Sequence, residues 1–274
     1  MKPCYVCHST NQQHILDINE KPSCEVDYGI PKERYYRKIV KCENCGVYNN
    51  IHNLINDELF YSGHYNASIS HDLQVRFNKI ISFDYEVSDN KQRVKRILEY
   101  SKSNFKRRKP SNILDVGSGT CVFLYEVKQN IEIDAFCIDP DPTAIALAKK
   151  NVDLKEAYIG TILDVDLDRK FDIITFNKVL EHVKNPINIL KKALTLLTED
   201  GFIYIELPES DRIVKQNAID ERAEFALEHY SVHNRNSLVF IAQELNLFIK
   251  DLQIITDPSG KFTIYGFMKT SSSI

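Results

Sequence analysis

Apolar and polar positions alternate most regularly in the second half of this 274-residue chain. Short apolar runs there predict four buried strands, at 112–117, 133–139, 171–177 and 201–207, and a shorter strand at 157–162. Strands that alternate with helices form a parallel sheet with helices on both faces. Ligands bind such sheets at the carboxyl ends of the strands, near the point where the strand order reverses.

Helix signals separate these runs. Asp-Pro at 141–142 and Asn-Pro at 185–186 each place a capping residue before a first-turn proline. Gly201 is expected to close the helix that begins at Pro186. A last helix, SLVFIAQELN from Ser237, precedes two closing strands, LFIKDLQII and KFTIYGFMK. The fold class predicted is therefore α/β, a Rossmann-like doubly wound sheet of seven mostly parallel strands, at 109–274.

Residues 53–108 are polar and helical in pattern. Ser88 is a predicted N-cap, and Val94, Ile97 and Leu98 fall on one stripe of the helix that follows. This segment is predicted to be a helical linker or cap. Within this segment, an aromatic, turn-like stretch around Tyr65 precedes the helix, and its rings either cover a ligand or pack the linker against the main domain.

Two C-x-x-C pairs mark residues 1–52. Cys4 and Cys7 form the first pair, and Cys42 and Cys45 form the second. Four thiolates with this spacing suit a tetrahedral Zn²⁺ that leaves no open position for a substrate. The pattern predicts a small N-terminal zinc ribbon with a structural ion; isolated buried or redox cysteines are the alternative.

Composition narrows the class of protein. A hydrophobic content of 43% supports a full core, and the formal net charge of −3 gives no general attraction to nucleic acid. The run FKRRKP at 105–110 is the local exception, and we interpret it as a solvated linker. No signal peptide or membrane-spanning run is apparent, so a cytoplasmic location without membrane association is expected. Oligomeric state is not indicated by the sequence.

The segment ILDVGSGTCVFLYEV predicts a strand, a glycine-rich turn and a helix. A dinucleotide site of the type G-x-G-x-x-G would need its third glycine at Val122, which excludes that interpretation. Asp115, Gly117 and Gly119 instead match a turn of the pattern acid-x-G-x-G-x-G. Cys121 is a small residue at the position of the third glycine in that pattern. In the following strand, Asp139 stands where a carboxylate accepts both ribose hydroxyls of an adenosine; an ordinary Asp-Pro turn is the alternative.

These motifs, together with the LEHV segment within residues 171–209, resemble class I S-adenosylmethionine (SAM)-dependent methyltransferases. The resemblance implies SAM as cofactor. It also implies a cofactor pocket formed by these residues: Asp115, Gly117, Ser118, Gly119, Asp139, Pro140, Thr161, Ile162, Asn177 and Tyr65.

The whole layout is similar to bacterial sugar and surface-polysaccharide methyltransferases, which carry a Glu-His pair after strand five. Glu228 and His229 occupy that place, although the tyrosine of that group is replaced by Ala226. The chain also ends before the additional C-terminal domain of the sugar C-methyltransferases. An O-methyltransferase of a nucleotide-activated sugar or another small phosphorylated precursor is the resulting expectation.

Methyl transfer to an alcohol needs a base for the hydroxyl proton, and a histidine is suitable. We expect His229 to be this base, oriented by Glu228 or another carboxylate, with His182 as the second candidate. Two other functions remain open. An RNA methyltransferase would use the zinc ribbon and FKRRKP to hold RNA, and a non-catalytic protein would keep the fold as a binding scaffold.

Overall fold

The computed structural model describes residues 2–55, 72–106 and 108–270. The strands in these ranges are β1 Gln12–Ile18, β2 Arg37–Cys42, β3 Tyr48–Ile51, β4 Asn112–Val116, β5 Asp134–Asp139, β6 Glu156–Ile159, β7 Phe171–Asn177, β8 Leu197–Pro208, β9 Ser231–Val232, β10 Leu247–Thr256 and β11 Phe262–Thr270. The helices are α1 Leu73–Ile81, α2 Asp89–Asn104, α3 Val122–Asn130, α4 Pro142–Asn151, α5 Pro186–Thr195, α6 Asp211–Lys215 and α7 Arg235–Glu244.

Seven strands form the main sheet in the order β10-β11-β8-β7-β4-β5-β6. The five strands from β8 to β6 run parallel, and β11 and β10 join antiparallel to the edge at β8. The prediction of a seven-stranded, mostly parallel α/β sheet is therefore confirmed. The chain leaves β4 for β5 on one side and later returns to β7 on the other, so the strand order reverses beside β4. This reversal opens a crevice at the carboxyl ends of these strands.

One helix boundary predicted from the sequence is wrong. Gly201 does not close the helix that begins at Pro186, because that helix ends at Thr195 and Gly201 lies inside β8. A Cβ at Gly201 would lie 2.9 Å from the backbone oxygen of Asp172, so the glycine permits close packing of two strands. The capping signals at Asp141 and Asn185 are confirmed, since both side chains accept a backbone N–H of the following helix.

The linker helices pack on the main domain. Ser88 caps α2, its hydroxyl accepting the Lys91 N–H at 3.1 Å, as the sequence predicts. The apolar stripe of α2, with Val94 and Ile97, is buried in the same core cluster as Leu124 of α3. Helix α2 therefore forms one wall beside the crevice of the sheet.

The second sheet is antiparallel, in the order β1-β2-β3-β9. Three of its strands come from residues 12–51, but β9 comes from residues 231–232. Tyr48 and Ile39 of this sheet share a buried cluster with Ile213 and Phe225. The N-terminal sheet is thus completed by a strand from within the main domain, inserted in sequence between β8 and β10. The boundaries 1–52, 53–108 and 109–274 stay a prediction. No helix among the described residues is long and apolar enough to cross a membrane.

Candidate active site and cysteine cluster

A cavity of about 470 Å³ opens at the carboxyl ends of β4, β5 and β7. Its walls include the glycine turn after β4, the end of β5 and residues of α2. The short 3-10 turn Leu180–His182 and the segment around His229 close the other side. A parallel sheet places its ligand at this position.

The glycine turn bends sharply because two of its N–H groups are tied to β5. Gly117 and Ser118 both donate to the Ile138 carbonyl, at 2.8 and 3.2 Å. Gly117 has φ +71°, and a Cβ there would lie 2.6 Å from Cγ2 of Val179. Both the backbone conformation and the close approach therefore require glycine at position 117.

The structure explains why glycine is usual at the position of Cys121. Cys121 has φ +64° and directly precedes α3, so this residue is held in the left-handed region. Its side chain is fully buried and interacts with the Cys137 thiol. The chain thus accepts a strained backbone at this point and fills the space with a small apolar side chain.

Asp139 lies at the end of β5 and lines the cavity. One carboxylate oxygen accepts the Gly119 N–H at 2.7 Å, and the other accepts the Asp141 N–H at 2.9 Å. Burial raises the pKa of Asp139 to about 6. The carboxylate is therefore fixed in orientation, and it also connects the glycine turn to β5.

Asp115 is buried at the floor of the cavity. Its Oδ1 accepts the Thr175 hydroxyl at 2.6 Å and the Asn177 amide at 2.8 Å, and burial raises its pKa to about 7. The Asn177 Oδ1 and the Ser118 hydroxyl are buried in the cavity wall without a hydrogen-bond partner in the described parts of the chain. Buried polar atoms are costly when unpaired. Their presence in one cavity fits a ligand that carries hydrogen-bond donors, such as the amino-acid part of SAM.

The other cofactor residues expected from the resemblance are only partly brought together. Pro140 lines the cavity, but Thr161 and Ile162 are not among the described residues that line it. Ile162 is buried in the core, and the Thr161 hydroxyl donates to Asp164. Tyr65 lies outside the described residues.

His182 and His229 both line the cavity, and their rings pack edge to face with centroids 4.6 Å apart. Nδ1 of His229 lies 2.8 Å from the Glu224 carbonyl, and Nδ1 of His182 lies 3.1 Å from the Glu228 carbonyl. A carbonyl only accepts, so each Nδ1 carries the proton, and Nε2 of His229 has the lone pair. Burial lowers the pKa of His229 to about 4, which keeps this ring neutral at pH 7.

Glu228 differs from the sequence expectation in its position. Its side chain lies on the N-terminal module, where the neighbouring groups include Tyr28, Glu25 and Arg37. Burial raises its pKa to about 7. The group that orients His229 is the Glu224 carbonyl rather than the Glu228 carboxylate.

Glu181 is a site residue that sequence reasoning missed. It lines the cavity, and neither of its buried oxygens has a hydrogen-bond partner among the described residues. Polar atoms of Glu181, His182 and His229 lie within 4.8 Å of one another. Burial raises the pKa of Glu181 to about 8, so the carboxyl is largely protonated at neutral pH. The available signal was its place directly before His182 in the LEHV segment.

A buried ion network closes the cavity on the side of α2. Arg93 and Arg96 donate to the two oxygens of Glu206 on β8, at 2.6 and 2.9 Å, and Lys178 lies 3.8 Å from the same carboxylate. Burial disfavours the charge of Glu206, but the Arg93 and Lys178 cations hold its pKa well below the usual value. The network fixes the linker helix to the main sheet.

The four cysteines of the two pairs converge in the N-terminal module. The sulfurs of Cys4 and Cys45 are 3.7 Å apart, and those of Cys7 and Cys42 are 3.4 Å apart. All four sulfurs lie within 4.8 Å of one another. A tetrahedron with metal–sulfur bonds of about 2.3 Å has edges of about 3.8 Å. The donor set and spacing therefore fit a four-thiolate zinc site.

Comparison with known proteins agrees with this fold. The family described as "Methyltransferase domain" matches residues 84–250. The mitochondrial ubiquinone biosynthesis O-methyltransferase of Schizosaccharomyces pombe is 29% identical over 157 residues, which are 54% of this chain and 57% of that protein. The chain thus spans little more than half the length of this curated relative.

Two solved structures are similar in fold. The plantazolicin methyltransferase BpumL in complex with SAH has a TM-score of 0.57 at 19% identity, covering 78% of this chain and 93% of its own. Magnesium protoporphyrin IX methyltransferase from Synechocystis PCC 6803, with bound SAH, has a TM-score of 0.59 at 11% identity, covering 78% and 100%. The chain therefore belongs to the methyltransferase domain family, and residues 84–250 form its methyltransferase domain.

Proposed function

We propose that this protein transfers the methyl group of SAM to a hydroxyl of a small polar metabolite. The observation that carries the proposal is His229, whose Nδ1 proton is directed to the Glu224 carbonyl while its ring lines the cavity formed by the glycine turn and Asp139. A base at the same cavity as the cofactor turn is the arrangement that O-methylation needs.

Some residues of the cavity would bind SAM, and others would act on the acceptor. The Asp139 carboxylate would accept the ribose hydroxyls, and the unpartnered Asn177 oxygen would accept a hydrogen bond from the amino group of the methionine part. When bound, SAM would supply the methyl group on its sulfonium sulfur for transfer to the acceptor oxygen, with S-adenosylhomocysteine as the leaving group. His229 Nε2 takes the hydroxyl proton, and the Glu224 carbonyl stabilises the ring as it becomes charged. Positioning of the acceptor supplies most of the remaining acceleration.

The acceptor that we propose is a nucleotide-activated sugar or another phosphorylated surface-polysaccharide precursor. Lys261 lines the cavity and offers positive charge for an anionic group. The O-methyltransferase of ubiquinone biosynthesis among the relatives supports oxygen as the acceptor atom. The net charge of −3 supports a small molecule over RNA.

A structural zinc ion held by Cys4, Cys7, Cys42 and Cys45 completes the proposal. Four thiolates leave no position for a substrate, so the ion would stabilise the N-terminal module and take no part in methyl transfer.

A panel of acceptors tests the activity. The protein is incubated with SAM and, in separate reactions, nucleotide sugars, phosphorylated sugars, catechol-type phenols and RNA, and each acceptor is analysed by mass spectrometry for an added methyl group. We expect turnover with a sugar nucleotide, abolished in His229→Ala and kept in His14→Ala, where the histidine is exposed on β1. Methylation of RNA or phenols alone, or full turnover by His229→Ala with unchanged SAM binding, would refute the proposal in its acceptor or in its base.

A further inference from the structure

The backbone around His229 is held mainly by side chains of the N-terminal module. In residues 224–230, termed here the His229 segment, three successive carbonyls accept hydrogen bonds from that module. Phe225 O accepts from Arg37 at 2.7 Å, Ala226 O from Asn50 at 3.1 Å, and Leu227 O from His52 at 2.9 Å. These donors are 175 to 188 positions away in sequence.

The neighbouring carbonyls of the segment also have hydrogen-bond partners. Glu224 O faces His229 Nδ1, Glu228 O faces His182 Nδ1, and Tyr230 O accepts the Asn50 backbone N–H at 3.0 Å. The chain then enters β9 and pairs with β3. Within the segment, the structure has the 3-10 turn Ala223–Phe225 and one hydrogen bond from the His229 N–H to Ala226 O at 3.0 Å, so its path depends largely on the external donors.

Two of these donors, His52 and Arg37, are held in one orientation by further contacts. His52 Nδ1 accepts the Leu54 N–H at 3.3 Å, so Nε2 carries the proton that is given to Leu227 O. Arg37 is fully buried, and its other contacts are Glu25 and the Tyr35 hydroxyl. A buried ion pair contributes little net stability but is well suited to fix one geometry.

The cysteine cluster supports the same strands. Cys42 is the last residue of β2, and β3 begins three residues after Cys45. The Gly46 carbonyl accepts from Asn234 at 2.9 Å, just beyond β9. Loss of the fold around the cysteines would therefore shift both β3 and the segment that it holds.

We infer that the N-terminal module is a positioning element for the base: Asn50, His52 and Arg37 hold the His229 segment so that the His229 ring points into the cofactor cavity with its proton on Nδ1. This inference rests on the proposed function for its catalytic consequence, while the position of the ring can be measured without turnover. A module that served only for folding would leave the tautomer of His229 unchanged when one of these donors is removed.

The experiment uses the full chain with ring-¹⁵N-labelled histidine and NMR of the imidazole nitrogens, with His229→Gln to assign the signal. In the wild type we expect the Nδ1–H tautomer with a slowly exchanging proton. Asn50→Leu removes the donor to Ala226 O without leaving a charge, and the exposed Asn53→Leu is the matched control. Asn50→Leu should give a mixture of tautomers and fast exchange, with SAM affinity within about twofold of the wild type, while Asn53→Leu should match the wild type.

A second pair of variants covers the case in which Asn50→Leu does not fold. His52→Phe keeps a ring against Tyr230 but lacks the donor, and His52→Gln restores an N–H. We expect changed His229 signals in His52→Phe and not in His52→Gln. Turnover with the acceptor found above should fall roughly ten- to hundredfold in the disrupted variants at unchanged KM for SAM.

Different results would refute the positioning role of the N-terminal module and the role of His229 as the base. Unchanged His229 signals in Asn50→Leu and His52→Phe would overturn the positioning role, whatever the activity. Changed signals together with full turnover by His229→Ala would leave the positioning role intact and overturn His229 as the base.

Discussion

Val179 packs so closely on the glycine turn that Gly117 has no room for a side chain: a Cβ at Gly117 would lie 2.6 Å from Val179 Cγ2. Gly119, two residues later, also has positive φ, but apart from its chain neighbours no heavy atom of the described residues lies within 4 Å of the Cβ position there. The two glycines of one motif are thus required for different reasons. Gly117 is restricted by sterics and backbone, and Gly119 by backbone alone.

This difference predicts the stability of two alanine variants. Gly117→Ala should lower the free energy of unfolding by about 3 kcal/mol, the combined cost of left-handed backbone strain and overpacking. Gly119→Ala should cost about 1 kcal/mol, from strain alone. Thermal or urea unfolding of the ligand-free protein measures both. Val179→Ala should recover part of the loss in Gly117→Ala; equal losses in the two alanine variants would contradict the steric argument.

The affinity for SAM should depend on pH through Asp139. Burial raises its pKa in the ligand-free protein to about 6, and only the ionised carboxylate accepts both ribose hydroxyls. SAM binding therefore favours deprotonation, and affinity should fall by up to about tenfold per pH unit below pH 6 and level off above pH 7.

Isothermal titration between pH 5 and 8 checks this dependence. Asp139→Asn should bind SAM weakly at all values and show a flatter pH profile. Asp134→Asn, at the exposed start of the same strand, should behave like the wild type. Affinity that rises on acidification would contradict the ribose role of Asp139.

Much of the scaffold could be predicted from the sequence because it depends on local signals. Strand periodicity, capping residues and the two C-x-x-C pairs each act within a few residues, and the structure places them as expected. The seven-stranded sheet and the grouping of Cys4 with Cys45 followed from such signals. Gly201 was misassigned because a glycine after a helix and a glycine at a tight strand contact look alike in sequence.

The orientation of the base could not be predicted for a different reason. His229 is oriented by a backbone carbonyl, and every residue has one, so no side-chain identity marks the Glu224 position. The prediction of a carboxylate partner named Glu228, whose side chain instead lies beside Tyr28, Glu25 and Arg37 of the N-terminal module. Hydrogen bonds such as that from the Asn50 side chain to Ala226 O also leave no periodic pattern in the sequence, because the two partners are far apart along the chain.

Glu181 should contribute to turnover rather than to SAM binding. Its protonated carboxyl lies beside both histidines and has no partner among the described residues, so it is available to bind the acceptor. Glu181→Gln keeps shape and hydrogen bonding and should retain most activity, whereas Glu181→Leu should raise KM for the acceptor by about tenfold or more. Repeating the assay with and without added Mg²⁺ separates a direct contact from one made through an ion. Equal KM for wild type and Glu181→Leu would exclude contact with the acceptor.

Zinc binding should depend on the two cysteine pairs and on no other cysteine. Cys42→Ser removes one thiolate and should lower bound zinc well below one ion per chain and destabilise the N-terminal module. Cys24→Ser, a cysteine outside the cluster, should retain the wild-type zinc content and stability. Elemental analysis of purified protein with thermal unfolding measures both quantities. Wild-type protein that contains no zinc after expression in zinc-supplemented medium would contradict the proposed site.

Glu206 should be the most sensitive position outside the cavity residues. It is fully buried and compensates the charges of Arg93 and Arg96, so Glu206→Ala would leave these cations without their counterion. Breaking a buried ion pair in this way costs about 3–5 kcal/mol. Glu206→Gln keeps two hydrogen-bonding groups and should cost less. Glu199→Ala, on an exposed part of the same strand, is the control, and urea unfolding distinguishes the three. A loss in Glu206→Ala no larger than in Glu199→Ala would show that the network does not hold α2 against the sheet.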